Sequence, residues 1–332
     1  VSTENSTPEL TDLLEDGLQV CLGKSVKIAT FEELALSEAK THTISRLHLT
    51  FTDGYDLTVI FKRLTPQSGK EASREVLAYQ SLLADEDLGA PQLYAAICDE
   101  TCNQYWLLLE DVGSRRLDRC GLTERVEAIR WAARMHATYQ NRQAELNKFP
   151  WLGEHGIQFY TALMTTARSR ISESSYQTTI DRFDRLMADF QETIDYLDRQ
   201  PRTLIHGDLS DHNLFVKTGN LAETGCPLHI RVIDWEWIAI GVGAWDLEKL
   251  LSGYDSVRVD LIQVYCEEFS HQMGTTLDQN TLGLTLHHCK ILRVLWKLGC
   301  PPPPPTGVTW DQDGIDRLLD EMSGLQKQIG RN

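Results

Sequence analysis

The chain has 332 residues, a formal net charge of -16 and a pI near 5.0. The length allows two domains or one two-lobed body. Such acidity argues against a nucleic-acid binder, which would normally show a basic patch or stripe, and no apolar run is long enough to span a membrane.

The N-terminal stretch VSTENSTPELTDLLEDG is polar and acidic, without the basic start and apolar core of a signal peptide. Eight cysteines are scattered through a chain too large to need disulfide staples, so reduced thiols in a cytoplasmic setting are expected. Cys98 and Cys102, and the run His287-His288-Cys289, lack the paired spacing of a metal site.

Residues 9–22 read as a short amphipathic helix. Strand-like runs follow at Val26–Ala29, Thr43–Thr52 and Leu57–Leu64, with Asp53-Gly54 as a hairpin signal between the last two. The stretch between the first two strands, EELALSEAKTHTIS, reads as a loop. From Ser68 to Ala84 the pattern is helical and Leu88–Pro91 breaks it. Two more strands are expected at Tyr94–Ile97 and Tyr105–Leu109.

Beyond Glu110–Gly113 the character changes. Helical spacing runs through 123–141, through 182–198 (Phe183, Leu186, Met187, Phe190, Ile194, Leu197) and through 284–299. Short strands are expected at Thr203–His206, Leu214–Lys217 and Leu228–Ile233. The five prolines at 301–305 read as a rigid spacer before a last helix near 314–328. The fold class is therefore α+β: a small antiparallel β-sheet lobe with one helix over 1–110, and a larger, mainly helical lobe over 111–332.

One stretch in the larger lobe is dense in polar groups. HGDLSDHNLF, 206–215, sets Asp208 and Asn213 five residues apart beside a strand, an expensive grouping unless something binds it. The spacing matches a kinase catalytic loop, where the aspartate takes the proton of an acceptor hydroxyl and the asparagine holds a metal ion. Downstream, RVIDWEW places Asp234 at the end of an apolar strand, as a ligand for Mg2+, with Glu236 able to touch a second ion or to serve as a surface acid. Upstream, TVIFKRL puts Lys62 on a strand and SREVLAYQSL offers Glu75 to hold it against the α- and β-phosphates; taken alone, Lys62 reads as a solvated lysine. In WLLLEDVG, the backbone of Leu109, Glu110 and Asp111 could meet an adenine ring, or serve as a plain linker.

Together LIHGDLSDHNLF, VIDWEW, LLLEDVG, RWAARMHA and GAWDLEKLL resemble the aminoglycoside phosphotransferase and choline kinase-like group of small-molecule kinases. The resemblance implies a bilobal protein-kinase-like fold with ATP and Mg2+ as cofactors. It also implies Asp208 as catalytic base, Asn213 and Asp234 as metal ligands, Lys62 with Glu75 as the phosphate-positioning pair, and Leu109–Asp111 as the adenine hinge. Asp246 and His206 would brace the catalytic loop, and His136 would be packing. The departure is the glycine-free stretch 32–45, where Ser37, Thr41, Thr43 and Ser45 would have to replace backbone amides as phosphate donors.

The resemblance implies a small hydroxyl compound as acceptor. Residues 232–270 carry eight acids against Lys249 and Arg258, which fits a cationic acceptor such as an aminoglycoside or amino alcohol, and equally fits acidic helix surfaces. Trp235, Trp237 and Trp245 read as buried anchors or as stacking surfaces. The alternative to an active kinase, motivated by the missing glycines, is a catalytically weak nucleotide-binding or scaffold protein of the same fold. HGD in place of HRD, and no APE-like segment after Asp234, argue against a protein kinase.

Overall fold

The computed structural model describes residues 7–38, 42–65, 70–84, 88–174, 176–218, 228–299 and 312–329. The polyproline run 301–305 and Thr41 lie outside the described residues. The chain divides into two compact units, one formed by Val1–Glu127 and Asp211–Ile238, the other by Ala128–Ser210 and Ala239–Asn332. Each unit is thus discontinuous in sequence, and the chain passes from the second into the first between Ser210 and Asp211.

The first unit opens with α1 (Thr7–Leu22) and a five-stranded antiparallel sheet of β1 (Ile28–Glu38), β2 (His42–Phe51), β3 (Asp56–Leu64), β4 (Leu93–Asp99) and β5 (Gln104–Glu110), in the order β1-β2-β3-β5-β4. Leu10, Leu14 and Leu18 recur at helical spacing and are buried; they join Leu47, Leu49, Phe51, Val59, Phe61 and Leu108 in one apolar cluster. The period-two pattern of β2 supplies that face. A side chain at Gly17 would come within 2.1 Å of the Tyr94 carbonyl oxygen, so the close approach of helix and sheet requires glycine there. Gly54 turns the β2–β3 hairpin at φ +82°, where other residues are strained.

Helix α2 (Lys70–Ser81) connects β3 to β4. The hairpin of β8 (Leu214–Thr218) and β9 (Leu228–Val232) belongs to the same unit. It is fastened by Val216 N–H to the Arg115 carbonyl (2.9 Å) and Val232 N–H to the Gly89 carbonyl (2.9 Å).

The second unit holds most of the helices: the greater part of α3 (Leu122–Gln140), then α4 (Gln143–Leu146), α5 (Ile157–Ser174), α6 (Gln177–Leu186), α7 (Phe190–Asp198), α8 (Ala244–Leu250), α9 (Arg258–Met273), α10 (Gln279–Gly299) and α11 (Gln312–Ile329). A small sheet of β6 (Gly153–Glu154), β10 (Ala239–Gly241) and β7 (Thr203–Ile205) lies among them, with β10 in the middle, parallel to β6 and antiparallel to β7. No helix among the described residues is long and apolar enough to cross a membrane.

Two sequence expectations are corrected. Among the described residues of the stretch 32–45 most are strand: β1 runs to Glu38 and β2 begins at His42, with Glu33 paired to Leu47 and Ala35 to Ser45. The glutamates at 32 and 33 made it read as polar loop, but a sheet edge tolerates charge on its open face. The stripe over 182–198 is not one helix. It breaks after Leu186, Asp189 leaves helical geometry at ψ 16°, and α7 restarts at Phe190. Phe183 and Ile194 are buried on either side of the break, so the apolar period survives the interruption.

Candidate active site

Within the first unit, two carboxylates converge on one ammonium. Lys62 on β3 lies 2.7 and 2.9 Å from the two carboxylate oxygens of Glu75 on α2, and 2.6 Å from Oδ1 of Asp234. Alternation along β3 explains the aim: Lys62 turns inward while its neighbour Arg63 pairs with Glu33 on the other side. Lys62 is 5% exposed and Glu75 fully buried. Burial alone would lower the lysine pKa, but the charges of Asp234 and Glu75 more than offset it and hold the ammonium above its ordinary range. Burial pushes the Glu75 carboxyl up, against the pull of Lys62.

Asp234 has a left-handed backbone, φ 69° and ψ 55°, which non-glycine residues rarely adopt and which Asp and Asn tolerate best. The register Leu214↔Val232 closes the β8–β9 hairpin, and the Asn213 carbonyl accepts the N–H of Ile233 at 3.0 Å. Asn213 is therefore fixed beside the residue that precedes Asp234. Both offer hard oxygen donors, the type that Mg2+ requires. Glu236 is engaged otherwise: one carboxylate oxygen lies 3.1 Å from Nε2 of His42, and the other accepts the indole N–H of Trp237 at 3.0 Å. Sequence reasoning gave His42 no role, because it lies within the stretch read as loop.

At the end of β5, Leu109 pairs with Ile60 on one side and Leu93 on the other. The Glu110 N–H is committed to the Gln92 carbonyl at 2.9 Å, and its carboxylate faces Lys217 and Arg231. Asp111 accepts from Nε of Arg46 at 2.7 Å and from the N–H of Gly113 at 2.9 Å. These bonds fix the turn that follows the strand.

In the second unit, Asp208 sits on a turn held mostly by its backbone. Asp246 at the start of α8 is fully buried and accepts the N–H groups of His206 (2.6 Å) and Gly207 (2.9 Å). Burial would raise its pKa, but the hydrogen bond and charge of His136, with the contribution of His206, hold it below the usual carboxylate range. The carbonyl of Gly207, at φ +85°, accepts the Trp245 indole N–H at 2.6 Å and a guanidinium N–H of Arg293 at 3.2 Å. His206 returns Nδ1 to the Asp208 N–H at 3.3 Å. His136 does more than pack: its ring links the Tyr265 hydroxyl (2.8 Å) to Asp246 (3.5 Å). The Asp208 carboxylate faces Lys249 Nζ at 3.0 Å.

The family model of the phosphotransferase enzyme family, APH, matches residues 45–276. The chain belongs to this family. It is a phosphotransferase acting on hydroxyl groups of small molecules. No curated protein matches the sequence. Among solved structures, it is similar to wild-type aminoglycoside 2'-phosphotransferase-IIIa in its GDP complex, at 16% identity and TM-score 0.55, with 98% of this chain and 99% of that chain covered. It is also similar to choline kinase LicA from Streptococcus pneumoniae, at 17% identity and TM-score 0.53, with 96% and 99% covered. These likenesses show the protein-kinase-like fold.

The sequence motifs of this phosphotransferase named neither Arg293 nor Lys249 as site residues. Lys249 was in view within GAWDLEKLL, but the acids around it masked its role. Arg293 lies in an apolar helical stretch, LRVLWKL, where one cation gives no signal of its own.

Proposed function

We propose that the protein is an ATP- and Mg2+-dependent kinase for a hydroxyl group of a small molecule. The observation that carries this reading is Lys62 held between Glu75 and Asp234. A buried cation pinned by one carboxylate, with a second carboxylate at its tip, is a device for gripping phosphates beside a metal ion. The structural relatives support a nucleotide there, since one is a GDP complex and the choline kinase LicA also has an AMP complex.

The donor set fits the cofactor. Asn213 and Asp234 would hold Mg2+, which supplies charge neutralisation for the β- and γ-phosphates when bound. Lys62 would anchor the α- and β-phosphates, with Glu75 keeping its ammonium in place. The adenine would lie against backbone groups of the Leu109–Asp111 stretch, with the Glu110 N–H excluded because Gln92 already takes it.

Asp208 would orient the acceptor hydroxyl and receive its proton as oxygen bonds to the γ-phosphorus and the bridging P–O bond breaks, releasing ADP. The backbone clamp of Asp246 on residues 206 and 207 would set the direction of that carboxylate. A cationic acceptor is one chemistry the family offers: a second structure of the aminoglycoside enzyme, at 17% identity and TM-score 0.55, is a complex with GDP and kanamycin.

The test is ADP release from Mg-ATP, with GTP as a second donor, across aminoglycosides, choline, ethanolamine, homoserine and simple sugars. Turnover that vanishes in Asp208→Ala establishes the reading. Failure of every nucleotide to stabilise the protein, with or without Mg2+, would instead favour a kinase-fold scaffold, the reading that the glycine-free hairpin supports.

A further inference from the structure

A cavity of about 250 Å³ lies in the second unit, bounded by α8, α9, α10 and α11 and the turn after α8. Two of its lining residues reach the Asp208 turn: Lys249 pairs with the Asp208 carboxylate, and Arg293 donates to the carbonyl of Gly207. The cavity therefore opens beside the residue assigned to take the acceptor's proton.

Its charge runs against the protein as a whole. Five basic side chains line it against three acidic ones, in a chain of net charge -16. Two of the acids are neutralised in place, Glu248 by Arg258 and Glu321 by Lys290. Lys249 is met by Asp208. Arg293 is the exception. It is 8% exposed, and its direct contacts are two neutral carbonyls, Gly207 and Trp245, and the Trp245 ring, 3.8 Å from the ring centroid; the carboxylates of Asp208, Asp246 and Glu248 act on it only from beyond contact, and burial still pulls its pKa down. No carboxylate reaches ion-pair distance of it among the described residues, and its Nε has no hydrogen-bond partner there. A guanidinium so buried is costly unless an anion joins it. Lys297, one turn further along α10, lines the same cavity, and Trp296 adds an apolar wall.

We propose that the acceptor of this phosphotransferase is a small hydroxyl compound bearing an oxyanion, carboxylate or phosphate, seated on Arg293, Lys290 and Lys297 with its hydroxyl toward Asp208. This deepens the kinase reading and rests on it. Of the acids that made the sequence fit a cationic acceptor, Asp234 is spent on Lys62, Asp246 on the loop backbone and Glu268 on Arg134; of the two that line this cavity, Glu248 is met by Arg258 and Asp255 stands at its edge. The bases come from α10, outside that segment. The cavity is also smaller than the roughly 300–1,000 Å³ of drug-sized sites, which favours an acceptor of few carbons.

The test uses the full chain and matched three-carbon probes: glycerate, glycerol 3-phosphate and glycerol, with choline and kanamycin as cationic arms. Binding is read by calorimetry and transfer by ADP release. The expected result is saturable binding of glycerate or glycerol 3-phosphate in preference to glycerol and both cations; the stronger of the two identifies carboxylate or phosphate. The double variant Lys290→Gln/Lys297→Glu should raise the KM or Kd for that anion about tenfold or more, with kcat nearly kept. Arg293→Gln should also weaken anion binding, but it removes a bond to the Gly207 carbonyl and so should lower kcat as well; the double variant decides.

Absence of saturable binding for both anions overturns the proposal, as does preferred turnover of a cation. Anion binding without transfer from any nucleotide would sustain the inference and defeat the kinase reading. Transfer to choline or kanamycin alone would do the reverse.

Discussion

Lys62 and Asp234 stand 172 residues apart in sequence and meet at 2.6 Å, with Glu75 closing the other side of the ammonium. The contact joins the sheet to the end of the β8–β9 hairpin inside one compact unit. Removing the lysine would leave Glu75 buried without its partner. We expect Lys62→Met to destabilise the protein by about 3–5 kcal/mol in chemical denaturation. Adding Glu75→Leu should recover much of that loss without restoring activity. An additive double variant would show that the pair is not coupled.

Asp234 can be tested without disturbing its backbone. Asparagine tolerates the left-handed conformation, so Asp234→Asn removes the charge while keeping the turn. The variant should fold, and Mg-ATP should no longer raise its Tm. Chelating Mg2+ from the unmodified protein should abolish the same shift. A full nucleotide shift in Asp234→Asn would remove this residue from the metal site.

Asp208→Asn should lower kcat by about 100- to 10,000-fold, the range of a lost general base. Nucleotide affinity should stay within a few-fold of the unmodified protein, because Lys62, Glu75 and Asp234, the residues proposed to grip the phosphates, lie in the other unit. Equal loss of both would mean that the substitution disturbs the turn rather than the proton transfer.

Asp246→Asn tests the loop brace. An amide can accept one N–H but presents its own NH2 to the other, leaving a buried donor facing a donor. We expect a stability loss of about 1.5–3 kcal/mol, the worth of hydrogen bonds to a charged group. A fall in kcat with little change in nucleotide affinity should accompany it.

His288 on α10 supplies a pH signature. Burial, with a contribution from His287, pulls its pKa down to about 4, and it sits neutral against Thr193 (3.1 Å) and the Tyr196 ring. The folded form resists a proton that the unfolded chain takes near the ordinary histidine pKa of about 6.5. The stability contribution is therefore complete above that value, shrinks as pH falls from about 6.5 toward 4, and is fully lost below. In His288→Gln the fall in Tm between pH 7 and pH 4.5 should be smaller than in the unmodified protein. An identical fall would place the acid sensitivity elsewhere.

Much of the sheet was legible because its signals are local. The alternation in ISRLHLTF, the Asp53-Gly54 turn and the apolar run before Lys62 each sit within ten residues, and the strands lie within a residue or two of where those signals place them. The first hairpin was not legible, since charged edge strands read as loop. Nor was the break between α6 and α7, where no proline or glycine interrupts the stripe. The same limit applies to the site. Lys62, Glu75 and Asp234 fall in short motifs whose order made them candidates, and the structure brings the three together. Arg293 becomes visible only when α10 packs its buried side chain against Trp245 and the Gly207 carbonyl.

The Asp208 turn is gripped by its main chain. Asp246 holds the amides of His206 and Gly207, while Trp245 and Arg293 hold the carbonyl of Gly207. None of these bonds reads the side chains of Ser210 or His212. Substitution of those two side chains therefore leaves intact the main-chain bonds that set the heading of Asp208, so a lineage could change them without unmaking the turn.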